Sequence, residues 1–344
     1  MTTASGVLET VRLRGEVVRI LDQTALPREE RYLDLRTPLE VADAIRCLAV
    51  RGAPAIGVAG ALGLVLAARL APDAPEEFVR HFERDAEMLA SSRPTAVNLR
   101  WAVERVREMV RRLLSTGSGI PAVREACREE AERILEEDLA LSRAMADHGV
   151  RLLPKEGRVL THCNTGGLAT AGGGTALGVV LEAHRRGQRL FVHLDETRPL
   201  LQGARLSAWE LMRAGVPCAV HCDGAAAWLL KTRGIDAVLV GADRVARNGD
   251  TANKVGTLPL ALAARRFGVP FYVVAPRSSF DLSIADGESI PIEERDPGEV
   301  LAWGGVEVAP AGAEAVNPAF DVTPAELITA WVTERGVERA PFLD

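Results

Sequence analysis

The sequence predicts an α/β protein: a mainly helical first half, followed by a second half that builds a parallel β-sheet. Three observations carry this. The chain has 344 residues, 47% hydrophobic and 26% charged, the balance of a folded soluble protein and longer than one ordinary domain of roughly 150 residues. Apolar residues in the first half recur at helical spacing. In the second half, short β-rich runs alternate with helix-like segments. The length fits two domains, or one large domain with an extension.

In chain order, Arg12–Ile20 alternates around Gly15, the pattern of a small hairpin. Thr37, Pro38 and Glu40 then supply an N-cap, a first-turn proline and a capping-box acid. Val41, Ile45 and Leu48 follow at helical spacing, and Gly52 is placed to end that helix. Pro54 opens a second, apolar helix reaching about Leu70. Leu99, Val103, Val106, Val110 and Leu113 form an amphipathic stripe. A long Glu- and Arg-rich helix from about Pro121 to His148 closes the helical half.

The β-rich runs are Arg158–His162, Arg189–Leu194, Cys218–His221, Ala237–Val240 and Phe271–Ala275. Between them lie helix-like segments at Gly174–Arg186, Arg205–Ala214, Ala225–Thr232 and Leu258–Phe267. This alternation implies right-handed crossovers and a parallel sheet covered on both faces. In such sheets ligands sit beyond the carboxyl ends of the strands, so the residues after each run are where chemistry is expected.

Composition narrows the partners. Lys plus Arg number 41 against 47 Asp plus Glu, a formal net charge of −6, and no basic block offers a surface to nucleic acid or anionic lipid. The uncharged stretch Gly52–Ala68 contains Pro54 and four glycines and is short for a membrane span of about 20 residues. Met1–Gly6 has neither a basic flank nor an apolar signal core. The 5 cysteines, Cys47, Cys127, Cys163, Cys218 and Cys222, are scattered and odd in number, as for reduced thiols. A soluble, cytoplasmic protein with a small polar partner is expected.

After the first β run comes His162-Cys163-Asn164-Thr165-Gly166-Gly167, then Gly172-Gly173-Gly174 leading into a helix. Glycine-rich backbone before a helix N-terminus cradles phosphate, or it makes a tight turn with no ligand. Gly172, Gly174 and Gly178 approximate a dinucleotide fingerprint, with Asp195 where a ribose-binding acid would lie. Against that reading, Leu177 stands where glycine is required, and the triplet does not follow the strand directly. His162, Cys163, His193, His221, Cys222 and Asp223 all fall near strand ends. They lack the paired spacing of structural zinc sites, so buried strand-end residues are the reading taken and no metal is expected.

Asp243 follows the fourth run directly. Partial desolvation there would suit it to general-acid work, and the alternatives are a helix cap or a salt bridge to Arg244. Asn253 and Lys254 offer an amide and a charged donor for a phosphate or a sugar hydroxyl, or a solvated loop. Cys163 would gain thiolate character at a helix N-terminus, although inert buried cysteines are commoner. Arg51-Gly52-Ala53-Pro54 and Ser92-Arg93-Pro94-Thr95 are helix-to-helix joints carrying an arginine each, and with Lys254 they supply three cations.

Taken together, these segments resemble the family of methylthioribose-1-phosphate isomerases. That family also takes in ribose-1,5-bisphosphate isomerases and regulatory subunits of a translation guanine-nucleotide-exchange factor. The resemblance runs through Arg51-Gly-Ala-Pro-Ala-Ile-Gly, Ser92-Arg-Pro-Thr-Ala-Val-Asn-Leu and Thr161-His-Cys-Asn-Thr-Gly. It continues in Asp195-Glu-Thr-Arg-Pro-Leu-Leu-Gln-Gly-Ala-Arg-Leu, Val240-Gly-Ala-Asp-Arg-Val and Asn248-Gly-Asp-Thr-Ala-Asn-Lys-Val-Gly-Thr. It implies a mainly helical N-terminal domain over residues 1–120 and a Rossmann-like catalytic domain over 121–344, assembled as a homodimer. It implies Asp243 as proton donor and Cys163 as second catalytic residue. Substrate contacts are implied for Arg51, Gly52, Ala53, Arg93, Gln202, Asn253 and Lys254.

The implied activity is an aldose–ketose isomerisation of a phosphorylated pentose in methionine salvage. A sugar whose anomeric oxygen carries phosphate cannot open spontaneously to an aldehyde, so an acid must protonate the ring oxygen. Cys163 would then act as base in an enediol-like route or stabilise charge during a hydride shift. Neither route requires a metal or nicotinamide. The alternatives are the same chemistry on 5-deoxyribose 1-phosphate or ribose 1,5-bisphosphate, a silent sugar-phosphate- or nucleotide-sensing subunit, and a dehydrogenase. Retention of both Cys163 and Asp243 disfavours the silent subunit.

Overall fold

The computed structural model describes residues 8–93 and 96–342, and they divide into two compact units. The first comprises Met1–Leu141 with Gly166–Gly174, the second Ser142–Thr165 with Thr175–Asp344. The expected division at 120/121 therefore moves to 141/142, inside a continuous helix. The glycine-rich segment, expected in the catalytic domain, belongs to the first unit.

The first unit opens with an antiparallel sheet of β1 (Val11–Arg14), β2 (Val17–Leu21) and β3 (Tyr32–Leu35). Its first two strands are the expected hairpin. Helix α1 (Pro38–Arg46) begins with the anticipated capping box: Thr37 accepts from the Glu40 amide, and the Glu40 side chain accepts from the Thr37 amide. It ends earlier than the apolar spacing implied, with Leu48 in a left-handed conformation at φ 63°. Gly52 does not end that helix; it caps the start of α2 (Ala53–Leu70).

Helix α2 is long and apolar enough to cross a membrane, but 72% of it is buried inside the protein, as befits a core helix. It packs against α3 (Pro75–Ala90), which the sequence analysis did not anticipate, and α4 (Val97–Ser115). Gly60 permits close approach, because a Cβ there would meet Leu99 Cδ1 at 2.5 Å. Leu99, Val103, Val106 and Val110 of the α4 stripe are fully or almost fully buried, each contributing about 1.5–3 kcal/mol relative to exposure. Helix α5 (Ile120–Gly149) contains the boundary between the units.

The second unit contains the expected sheet. Its strands include β4 (Glu156–Thr161), β5 (Arg189–Asp195), β6 (Cys218–His221), β7 (Ala237–Val240) and β10 (Phe271–Val274), all parallel. Helices α6 (Ala176–Arg185), α7 (Ala208–Arg213), α8 (Ala226–Thr232) and α9 (Thr257–Phe267) form the crossovers. The strands β8 (Arg244–Ala246), β9 (Thr251–Lys254) and β11 (Phe280–Asp281) join β14 (Phe320–Thr323) in a smaller sheet. A short hairpin pairs β12 (Ala302–Trp303) with β13 (Val306–Glu307). Two unanticipated strands, parallel β15 (Ala330–Thr333) and antiparallel β16 (Gly336–Glu338), complete the main sheet in the order β16-β15-β10-β7-β4-β5-β6. The chain moves outward one way from β4 through β5 to β6, then returns to β7 on the other flank. The connections after β4 and β7 thus leave a topological switch point, where α/β sheets bind ligands.

Candidate active site

Cys163 stands two residues past the end of β4, and the structure fixes its backbone from both sides. It takes a left-handed φ of 65° and is buried. Its N–H donates to Thr197 Oγ1 at 2.8 Å, and its carbonyl accepts from Ser207 Oγ at 2.8 Å. Asn164 donates to Ser207 Oγ at 3.2 Å and to Glu210 Oε1 at 2.7 Å. Thr197 also has a φ of 65°, unusual for a β-branched residue, and the Asp223 carboxylate holds its N–H and that of Arg198 at 2.7 Å each. Two non-glycine residues held left-handed store about 1–3 kcal/mol each, strain that surroundings of this kind sustain at functional sites.

His162, beside Cys163, is fully buried and lies 2.9 Å through Nδ1 from Asp195 Oδ2 and 2.9 Å through Nε2 from the Val255 carbonyl. A carbonyl only accepts, so Nε2 carries a proton. Burial opposes charge on His162, but the hydrogen bond and charge of Asp195 outweigh it and raise the imidazole pKa. His221 Nδ1 approaches the other Asp195 oxygen at 3.3 Å. Asp195 is therefore spent inside the protein, which counts against its reading as a ribose-binding acid.

His162, Asp195 and Asp223 offer ligand atoms within 4.8 Å of one another, the only such group with metal-binding spacing among the described residues. Their donor set does not suit a metal as arranged: His162 meets acceptors at both nitrogens, and the Asp223 oxygens hold two amides. Cys163, His193, His221 and Cys222 do not enter that group.

Asp243 follows β7, the strand beside β4. Its N–H donates to the Ala252 carbonyl at 2.9 Å, but the residue is exposed, so the expected desolvation is not met. Arg244 lies 3.7 Å from Asp281. The loops bearing Cys163 and Asp243 touch: a Cβ on Gly241 would sit 2.9 Å from Thr165 Cγ2. Asn253 and Lys254 close β9 and are buried, contrary to a solvated loop. Asn253 donates to Thr257 Oγ1 at 3.0 Å, and Lys254 Nζ donates to the Ala319 carbonyl at 2.8 Å. Gln202, after β5, is buried with its Oε1 lacking a hydrogen-bond partner among the described residues. Cys163, Gln202, Asp243, Asn253 and Lys254 thus share the second unit.

Arg51, Gly52, Ala53 and Arg93 belong to the first unit. Pro94 and Thr95, from the second arginine-bearing joint, lie outside the described residues. Gly52, at φ 90°, caps α2, and a Cβ there would meet the Ala169 carbonyl oxygen at 2.3 Å. Of the two readings left open for the glycine triplet, the phosphate cradle fares less well than the tight turn. Thr170 Oγ1 accepts from the amides of Gly172 and Gly174, and Asp138 from that of Ala171. Those donors make a tight turn. Sequence reasoning missed Thr197, Ser207 and Glu210, of which only Thr197 falls inside a motif it had quoted.

The chain belongs to the initiation factor 2 subunit family, whose model matches residues 49–339. Within that class its similarities are specific. It is 51% identical over 338 residues to a methylthioribose-1-phosphate isomerase of Pelotomaculum thermopropionicum, covering 98% of this chain and 92% of the relative. The crystal structure of 5-methylthioribose 1-phosphate isomerase from Pyrococcus horikoshii OT3 is 44% identical with a TM-score of 0.91, covering 97% of this chain and 93% of that one. A structure from A. fulgidus described as translation initiation factor eIF-2B, subunit delta, is 40% identical with a TM-score of 0.88, covering 97% and 96%.

Proposed function

We propose that this protein is an aldose–ketose isomerase that converts S-methyl-5-thioribose 1-phosphate to S-methyl-5-thioribulose 1-phosphate in methionine salvage. The carrying observation is the adjacency of the Cys163 and Asp243 loops at the switch point of the parallel sheet. The similarity to isomerases supports it over nearly the full length of the chain.

Asp243 donates a proton to the ring oxygen, opening the furanose while the phosphate stays on carbon 1. In one route Cys163, as thiolate, takes the carbon-2 proton and returns it to carbon 1. In the other, hydrogen moves with its electron pair from carbon 2 to carbon 1. The carbon-2 hydroxyl then releases its proton in either case, balancing the one Asp243 gave. Gln202, Asn253 and Lys254 bind sugar hydroxyls and phosphate, and no metal or nicotinamide takes part. Arg51, Gly52, Ala53 and Arg93 are assigned to phosphate binding on the anion-binding character of a helix start, so Arg51→Ala should raise KM.

Phosphorus and proton NMR with methylthioribose 1-phosphate, in EDTA and without cofactor, tests the reading through appearance of the ketose 1-phosphate. Absence of turnover from folded protein sinks it, and 5-deoxyribose 1-phosphate and ribose 1,5-bisphosphate then become the substrates to offer. Silence on all three favours a non-catalytic sensing subunit. We also propose a cytoplasmic homodimer with neither nucleic-acid nor membrane partner. The exposed apolar side chains of Met212, Val220 and Trp228 around β6 support self-association, which light scattering would measure.

A further inference from the structure

We propose that the buried His162–Asp195 pair is a positioning device for the isomerisation, holding the backbone of Cys163 in register with the segment that carries Asn253 and Lys254. The proposal deepens the isomerase reading and rests on it.

A buried ionisable pair is a poor way to gain stability, since well-packed apolar residues often do as well or better. Its advantage is direction. His162 has both ring nitrogens committed, to Asp195 on one side and to the Val255 carbonyl on the other. Val255 directly follows Lys254, and His162 directly precedes Cys163. One imidazole therefore spans from the end of β4 to the segment after β9.

The Asp195 end closes a loop of contacts back to Cys163. The Asp195 carbonyl accepts from Thr197 Oγ1 at 3.2 Å, and that same oxygen accepts the Cys163 N–H at 2.8 Å. Cys163 is thereby set by its neighbour His162 and by Thr197, both anchored on Asp195. This gives a physical reason for the paired left-handed conformations at 163 and 197.

The Val255 end is fitted to the ring. Gly256, at φ 105°, has no side chain, and a Cβ there would lie 2.7 Å from His162 Cε1. Beyond it, the Asp321 carboxylate accepts from the amides of Gly256 at 2.7 Å and Leu258 at 3.0 Å, fixing the far side of the turn. Thr257 Oγ1 ties the same turn to Asn253 and to the Lys254 carbonyl. Displacing the imidazole would release the Asn253–Lys254 segment from the Cys163 strand end while leaving every substrate-touching side chain chemically intact.

The test uses the full-length protein with methylthioribose 1-phosphate and compares His162→Leu, His162→Gln and Asp195→Asn. His162→Leu should lose about 100-fold in kcat with KM little changed, because misplaced groups slow the chemical step more than they weaken binding. His162→Gln keeps a donor for the Val255 carbonyl and should recover part of that loss. Asp195→Asn, which keeps shape but not charge, should fall between wild type and His162→Leu. Circular dichroism establishes that each variant is folded. Wild-type kcat in folded variants, a loss confined to KM, or no difference between Gln and Leu at 162 overturns the positioning role. Failure of all three variants to fold assigns the pair to stability and overturns it too. Absence of turnover in the wild type overturns the isomerase reading and this one with it, whereas normal wild-type turnover beside unaffected variants overturns this one alone.

Discussion

The carboxylate of Asp195 lies between two imidazoles, 2.9 Å from His162 Nδ1 and 3.3 Å from His221 Nδ1. A third, His193, stacks at a tilt on His221 with ring centroids 6.1 Å apart. The carboxyl ends of β4, β5 and β6 thus bring three imidazoles and one carboxylate together.

His193 alone makes a prediction for acid. Burial, then the charge of His221, Arg158 and Arg233, lower its pKa from 6.5 to about 4. A histidine depressed in the folded state is neutral in both states above pH 6.5, and the unfolded chain binds the extra proton below it. Its contribution to stability should therefore be lost as pH falls from about 6.5 towards about 4. Denaturant midpoints across that window should fall less steeply in His193→Gln.

Asp138, in the first unit, has the opposite sign. Burial raises its pKa from 3.8 to about 6, against the Ala171 amide and Arg12, which pull it down. Its contribution is complete below pH 3.8 and lost as pH rises through about 6. Asp138→Asn keeps an acceptor for the Ala171 amide without the buried charge. It should equal or exceed wild-type stability at pH 7 and remove this part of the pH dependence, as read by thermal unfolding at several pH values.

Cys163→Ala and Asp243→Asn should each reduce turnover by about 100- to 10,000-fold, the range for loss of a positioned acid or base. Unfolding midpoints should stay near wild type for Asp243→Asn, since that side chain is exposed. Cys163→Ala should also differ little, because its recorded backbone bonds to Thr197 and Ser207 need no thiol. NMR turnover assays beside circular dichroism would check both.

Gly203→Ala should be among the most damaging single-methyl changes in the chain. A Cβ there would lie 1.8 Å from the Asp195 carbonyl oxygen, a backbone atom that cannot step aside without moving Thr197. A loss of about 3 kcal/mol or more is expected by urea denaturation, with activity falling in parallel.

The thiols should separate by environment. Cys47 and Cys222 are exposed and should react with a thiol reagent in the native state. Cys127 is buried, and burial pushes its thiol up to about 12, so it should react only on unfolding. Mass spectrometry after timed alkylation would show the order.

Much of the sheet was legible because β5, β7 and β10 carry apolar runs bounded by turns. The capping box and the α4 stripe were legible for the same reason, as local patterns with a local cause. The second sheet was not, since a strand reading Thr251-Ala-Asn-Lys254 shows no apolar alternation although all of it is buried. Strand β15 is a run of only four residues between the short strands β14 and β16, and α3 carries its buried residues among charged ones. At the site, motif recognition located Cys163 and Asp243, but partnerships across 33 residues, such as His162 with Asp195, leave no trace in spacing. The exposure of Asp243 depends on how its loop leaves β7, which no local pattern reports.

The return of Gly166–Gly174 to the first unit bears on how the chain is made. Gln23 donates to the Leu168 carbonyl and Thr10 to the Thr170 carbonyl, so residues near the N-terminus await partners synthesised some 145 to 160 positions later. On a ribosome, the first unit stays unfinished until β4 has already been polymerised and passed. The N-terminal unit is therefore not a module the chain can complete and set aside, and a fragment cut at Leu141 would lack a piece of its own interior.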